Sequence, residues 1–487
     1  MSNEVRNLEP KIIWGHFADL NDVPRGSKKE DRVQQFMMDF GNNLGLETIK
    51  DATGNVLIKK PATPGMENRK GVVLQGHLDM VHQKNGDTDF DFDSEGIKMR
   101  IEGDWVKAHG TTLGADNGLG VAAAMAVLSS SDLAHGPIEA LFTADEETGM
   151  TGANNLEPGW LKGDILLNMD TEDEGELCIG CAGGIDTSIS YDYSSEAIPT
   201  DYATCNLNIK GLFGGHSGCD IHLQRGNSNK LLARLLVMAN EKFDVRLVSF
   251  NGGSLRNAIP REVVSVVTVA ESNYAAFESM IKDFEKVIKG EFKNTDPNLF
   301  IEFSKASASN SHVVAEDNSK MINSINASRN GVYRMSSDFE GLVETSTNLS
   351  RVQIENGNMN IDFLTRSSIE EPKIDLKNQI ESLYKLIGAK VSHGGSYPGW
   401  TPNPDSDILK TMKVIHKDFF NEEPEVSAIH AGLECGIIAR TQPQLDMISF
   451  GPTIKNAHSP DEMANIPTTE RFWGYVQKIL KEIPEKN

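Results

Sequence analysis

TLGADNGLGVAAAMAVLSSSDLAHGPIEALFTADEE, residues 112–147, decides the architecture. From Leu119 to Leu128 it is rich in Ala, Val, Met and Leu and reads as a buried helix that begins just after Asp116. The run IEALFTA that follows reads as a strand, and so does DILLNM at 164–169. Upstream lie two more short strands, NVLIKK and GVVLQ, and a helix from Val33 to Leu44 with Val33, Phe36, Met37, Phe40 and Leu44 on one face. Strands alternating with helices predict an α/β sheet with parallel elements.

Around Asp186 the pattern changes. SISYDYS, TCNLNIKG and REVVSVVTVAE alternate polar with apolar residues, as a half-exposed sheet does. Helical stretches intervene at Asn229–Lys242, Tyr274–Lys289 and Lys377–Ile387, and SRVQIEN with NMNIDFLTR around Asn356-Gly357 signals a hairpin. These features predict a second, α+β domain. YPGWTPNPDSD, from Tyr397, then carries the closely spaced prolines of a linker, and helix and strand patterns resume through Ile408–Phe419 and Leu445–Phe450.

The length and charge narrow the class. A chain of 487 residues exceeds one core and predicts two or more domains. With 47 Lys plus Arg against 70 Asp plus Glu, a net charge of -23 disfavours nucleic acid or an anionic membrane surface as a partner. The N-terminal MSNEVRNLEPKII lacks a signal-peptide pattern and no apolar stretch reaches a membrane span, so the expected location is the cytoplasm. Five cysteines are too few and odd in number for a disulfide framework. Cys178 and Cys181 form a lone CxxC in LCIGCAGG, read as small-residue packing at a turn.

Five residues that could ligate metal each follow an apolar run: His77 in GHLDM, Asp116 in TLGADNG, Glu147 in TADEETG, Asp170 in LLNMDTED and His458 in IKNAHSPDE. Two histidines and three carboxylates approach the minimum for a two-zinc hydrolytic site. In open α/β sheets ligands bind beyond the carboxyl ends of the strands. His77, the Glu146-Glu147 pair, Asp170 and His458 all fall after such strands. Two ions roughly 3.5–4 Å apart need a bridge, and Asp116 is the choice. Asp79, two residues after His77, is placed to hold that imidazole's second nitrogen. Of the Glu146-Glu147 pair, one would bind metal and the other hold the attacking water; the residues alone do not say which. Glu434, amid glycines in HAGLECG, is a carboxylate that could meet an amino group of a substrate. His109, His222, His312, His393 and His430 read as ordinary loop or core histidines.

GHLDMV, TLGADNGLG, TADEETGMTGA, NMDTED and NAHSPDE together resemble the signature segments of the zinc-dependent family of dipeptidases, glutamate carboxypeptidases and amino-acid deacylases. The resemblance spans nearly the whole chain and is nearest to the branch that cleaves aminoacyl-histidine dipeptides. It implies that His77 and Asp170 hold one zinc, that Glu147 and His458 hold the other, and that Asp116 bridges them. Asp79 then supports His77, Glu146 is the general base, and the Asp116-Asn117 peptide is cis. It also implies substrate-binding roles for His216 in KGLFGGHSG, Asn257 in GSLRNAIPRE and Arg366 in NIDFLTRSS, the last suited by its fork to a terminal carboxylate.

The expected fold is thus α/β in two domains. A discontinuous zinc-peptidase catalytic domain at 1–186 and 398–487, its mixed sheet flanked by helices, would accept an inserted α+β lid at 187–397. The expected cofactor is two Zn²⁺ per chain, with Co²⁺ or Mn²⁺ as substitutes. The expected reaction is hydrolysis of dipeptides, Xaa-His and others, by a zinc-activated water with Glu146 as base. Alternatives are an N-acyl amino acid deacylase on the same metals, and a metal- or peptide-binding protein without turnover. Besides dipeptides the expected partners are none, or a second copy in a homodimer.

Overall fold

The computed structural model describes residues 2–486, which divide into two compact units. The first comprises residues up to Gly180 together with Pro402–Ala428 and Leu433 onward; the second comprises Cys181–Thr401 and Ile429–Gly432.

The first unit is built on an eight-stranded mixed sheet, in the order Glu47–Lys50, Val56–Lys60, Ile138–Thr143, Val72–His77, Ile165–Asn168, Asp446–Ser449, Glu176–Cys181, Glu425–Ile429. The run from Ile138–Thr143 to Asp446–Ser449 is parallel throughout. Val72–His77, Ile138–Thr143 and Ile165–Asn168 are buried along their whole length, which is why they read as unbroken apolar runs. The helix Ala115–Ser129 is buried at every position from Asn117 to Leu128, but Asp116 and Asn117 depart from helical backbone at its start. The Asp116-Asn117 peptide is cis, as the resemblance implies.

The second unit carries a nine-stranded antiparallel sheet, in the order Phe300–Lys305, Tyr202–Lys210, Val263–Ala270, Arg246–Gly252, Val343–Glu355, Asn358–Ser367, Gly183–Asp192, Lys390–Tyr397, with Gly331–Met335 added beside Val343–Glu355. Its central hairpin turns through Asn356 and Gly357, both at positive φ, as a two-residue turn of this hand requires. Ser228–Phe243, Tyr274–Glu291, Ala315–Ala327 and Glu370–Leu386 are its helices, sharing a core that includes Leu235, Phe250, Phe277, Phe363 and Tyr384.

Cys178 and Cys181 do not sit at a turn. They lie within the strand Glu176–Cys181, both buried, because the small apolar run LCIGC is covered on both faces. Among the described residues no helix is long and apolar enough to cross a membrane.

Candidate metal centre

The carboxyl ends of the four parallel strands converge on one edge of the first unit's sheet. His77 is the last residue of its strand. Glu146 and Glu147 open the single helical turn Glu146–Gly149, just past the strand that ends at Thr143. Asp170 follows the strand that ends at Asn168. His458 lies in the hairpin loop between Ile454–Lys455 and Met463–Asn465.

Asp116 stands between the two imidazoles. Its Oδ1 is 3.1 Å from His77 Nε2 and its Oδ2 is 3.1 Å from His458 Nε2. Asp170 Oδ1 lies 3.6 Å from His77 Nε2, and Glu147 Oε2 lies 3.0 Å from His458 Nε2. Besides a group of His77 with Glu146 and Glu147, two clusters result, His77 with Asp116 and Asp170, and Asp116 with Glu147 and His458, the donor atoms of each lying within 4.8 Å of one another. Asp116 belongs to both.

The surrounding contacts orient these groups. His77 Nδ1 lies 3.1 Å from the backbone oxygen of Asp79, a partner that places the proton on Nδ1 and leaves a lone pair on Nε2. Asp79 is fully buried, 3.4 Å from the same Nδ1. Its carboxylate accepts from the backbone N–H of Glu146 at 3.0 Å, of Glu147 at 3.2 Å, and from Ser27 Oγ at 2.8 Å. One carboxylate therefore positions both the His77 ring and the turn that carries the glutamate pair.

Burial would depress His77, but Asp170, Asp116 and Asp79 hold it well above the usual imidazole range. Hydrogen bonds to Asp116 and Glu147 push His458 up to about 11. Burial and neighbouring acids raise Glu146 and Asp170 well above the carboxylate range. The site thus concentrates more negative charge than its two histidines offset. Glu147 Oε1 and Asp170 Oδ1 are moreover buried without a hydrogen-bond partner among the described residues. Excess carboxylate, unpartnered oxygens and two imidazole Nε2 atoms facing them suit a divalent cation, which would displace the imidazole protons, so these donors fit zinc, cobalt or manganese.

Glu434, at the start of the helix Glu434–Thr441, is fully buried. Its Oε2 accepts from Gln75 Nε2 and Thr143 Oγ1, each at 2.6 Å, and its Oε1 has no hydrogen-bond partner among the described residues. Burial raises its pKa to about 7.

In the second unit, His216 pairs with Ala258 across a two-residue ladder, which brings Asn257 next to it. The backbone N–H groups of Gly218 and Cys219 donate to His216 Nδ1 at 3.2 and 3.0 Å, so the ring proton is on Nε2. Burial and the nearby Arg366 guanidinium hold its pKa at about 4, leaving a neutral N–H donor at pH 7. Asn257 is exposed. Arg366 donates from Nη1 to the Tyr397 hydroxyl at 2.9 Å, while its Nε is buried without a hydrogen-bond partner among the described residues.

Sequence reasoning missed Arg25 and Glu462, and the part played by the Asn117 side chain. Asn117 Oδ1 accepts from the His77 N–H at 3.2 Å, and its Nδ2 donates to the Met169 carbonyl at 2.6 Å, tying two strand ends together. Glu462 stood in the quoted NAHSPDE segment, but nothing in its residue type sets it apart from a solvated loop acid.

This fold and donor set define a metal-dependent hydrolase. The chain belongs to the peptidase family M20/M25/M40, whose sequence model matches residues 73–482. It is 43% identical over 484 residues to a cytosol non-specific dipeptidase of Escherichia coli, covering 99% of this chain and 100% of the relative. It superposes with a TM-score of 0.92 on the crystal structure of an aminoacylhistidine dipeptidase from Vibrio alginolyticus, at 45% identity and 99% coverage of each chain. Aminopeptidase PepT from Bacillus cereus, at 15% identity and a TM-score of 0.57, shares the fold over 98% of this chain and 99% of its own.

Proposed function

We propose that this protein is a dipeptidase of the cytoplasm that holds two Zn²⁺ and cleaves Xaa-His and other dipeptides. One observation carries the reading: Asp116 presents a separate oxygen to each of two histidines, and each histidine has its own second carboxylate. The end-to-end identity with a dipeptidase supports the substrate class.

When bound, the cations would polarise the scissile carbonyl and render a water acidic near neutral pH. Glu146 accepts that water's proton and delivers it to the leaving amine. Its backbone N–H is fixed by Asp79, which holds the turn that carries it. In the second unit His216, a neutral Nε2–H donor, is suited to an oxygen on which negative charge develops. Also in the second unit, the Arg366 fork suits a terminal carboxylate and the Asn257 amide suits a peptide group; in the first unit Glu434 suits a free ammonium through Oε1, which Gln75 and Thr143 leave unpartnered among the described residues.

The test is metal analysis followed by hydrolysis of a panel of Xaa-His dipeptides, other dipeptides and N-acetyl or N-succinyl amino acids. Two equivalents of metal and turnover of dipeptides alone are expected. One equivalent, or cleavage of the N-acyl compounds only, rejects the reading.

A further inference from the structure

Glu462 is buried at 2% exposure, four residues beyond His458 in the same hairpin loop. Its carboxylate accepts four consecutive backbone N–H groups, two per oxygen. Leu113 and Gly114 donate to Oε2 at 2.7 and 2.9 Å; Ala115 and Asp116 donate to Oε1 at 2.7 and 3.2 Å. Arg25 holds the same turn from its carbonyl side, with Nη2 donating to the Gly114 oxygen at 2.5 Å and Nη1 to the oxygens of Leu78 and Asp79. Gly114 has φ 71°, and a Cβ there would meet Arg25 Nη2 at 2.4 Å, so the turn needs glycine for both conformation and space.

From this geometry we infer that Glu462 is a positioning residue, a clamp that fixes Asp116 relative to His458 and so sets whether one carboxylate can serve both metal positions. The inference rests on the metal-site reading above. Asp116 can present one oxygen to each histidine only while its own backbone and the His458 loop keep a fixed relation. A single carboxylate joins the two segments, which lie far apart in sequence. The His77–Asp170 half depends on the clamp much less, because His77 is set by its strand and by Asp79. Residues that orient ligands in this way change metal affinity by about 10–100-fold when altered.

Glu462→Gln keeps the shape but turns an amide NH₂ toward two N–H donors, and Glu462→Asp keeps the charge on a shorter arm. Calorimetric zinc titration of the parent chain and both variants is the experiment, with d–d absorption of Co²⁺ as a second readout. The parent takes up two equivalents. Glu462→Gln retains one near parental affinity and binds the other at least 10-fold more weakly, Glu462→Asp falls between, and hydrogen exchange at residues 113–116 rises from the parent through Glu462→Asp to Glu462→Gln. Should Glu462→Gln not fold, the Glu462→Asp titration decides alone. Parental affinity at both positions in folded variants overturns the clamp, and so does equal weakening of both. A parent chain that binds no divalent metal overturns the metal-site reading itself.

Discussion

At the scale of single residues, the proposed base and the proposed carboxylate anchor separate cleanly. Glu146→Gln removes the proton acceptor but no metal donor, so kcat is expected to fall by roughly 10²–10⁴-fold with metal content unchanged. A variant with near-parental kcat would return the role to its neighbour Glu147. Arg366→Lys exchanges a planar fork for a point charge, so a rise in KM for dipeptides of about 10-fold or more is expected, with a smaller change in kcat. An unaltered KM assigns carboxylate recognition elsewhere. The residues legible in the sequence were those whose type carries chemistry and whose place follows a strand, such as His77 and Asp170. Glu462 and Arg25 were illegible for a physical reason. They act on backbone N–H and C=O groups, which every sequence contains, and acids and arginines like them cover any surface.

Among the elements, the parallel strands were legible because burial on both faces removes polar residues from them altogether. The helix expected at Lys377–Ile387 begins earlier, at Glu370, because Pro372 falls in its first turn, where a missing N–H costs nothing. The helices Lys11–Asn21 and Ala315–Ala327 went unread. Ala315–Ala327 is short in strongly apolar residues, so its packing rather than its pattern sustains it. The packing of Ala115–Ser129 gives a prediction at this scale. A Cβ on Gly120 would lie 2.3 Å from the Met169 carbonyl oxygen, a backbone atom that precedes Asp170. Gly120→Ala is expected to cost about 1–3 kcal/mol in denaturant unfolding and to weaken metal binding by displacing Asp170. Unchanged stability would show that the helix can move away from that strand end.

For the whole molecule, acid is the informative variable. Burial and Arg366 depress His430 to about 3, and the same causes hold His216 at about 4. Both folded values lie below the ordinary 6.5, so the stability tied to these groups is complete above pH 6.5 and drains away as pH falls toward 4 and then 3. Each group can contribute up to about 1.4 kcal/mol per pH unit within its window. Calorimetry from pH 7.5 to 4.5 should therefore show a falling melting temperature, and His430→Gln should flatten the fall. Parallel curves for the two chains exclude His430 as a cause. Stripping metal with a chelator acts on the other unit: restoring zinc at 100 times its Kd is expected to return about 2.7 kcal/mol for each site filled, and no shift in melting excludes a preformed metal centre. The strand order of the first unit also governs how the molecule is made. Asp446–Ser449 is the neighbour of Ile165–Asn168, yet the ribosome delivers it only after the entire second unit. At typical translation speeds the earlier strand waits on the order of tens of seconds with an apolar edge unpaired. During that interval the nascent chain presents a sticky edge to chaperones and to other chains, so yield in a cell depends on how well the half-built sheet is sheltered.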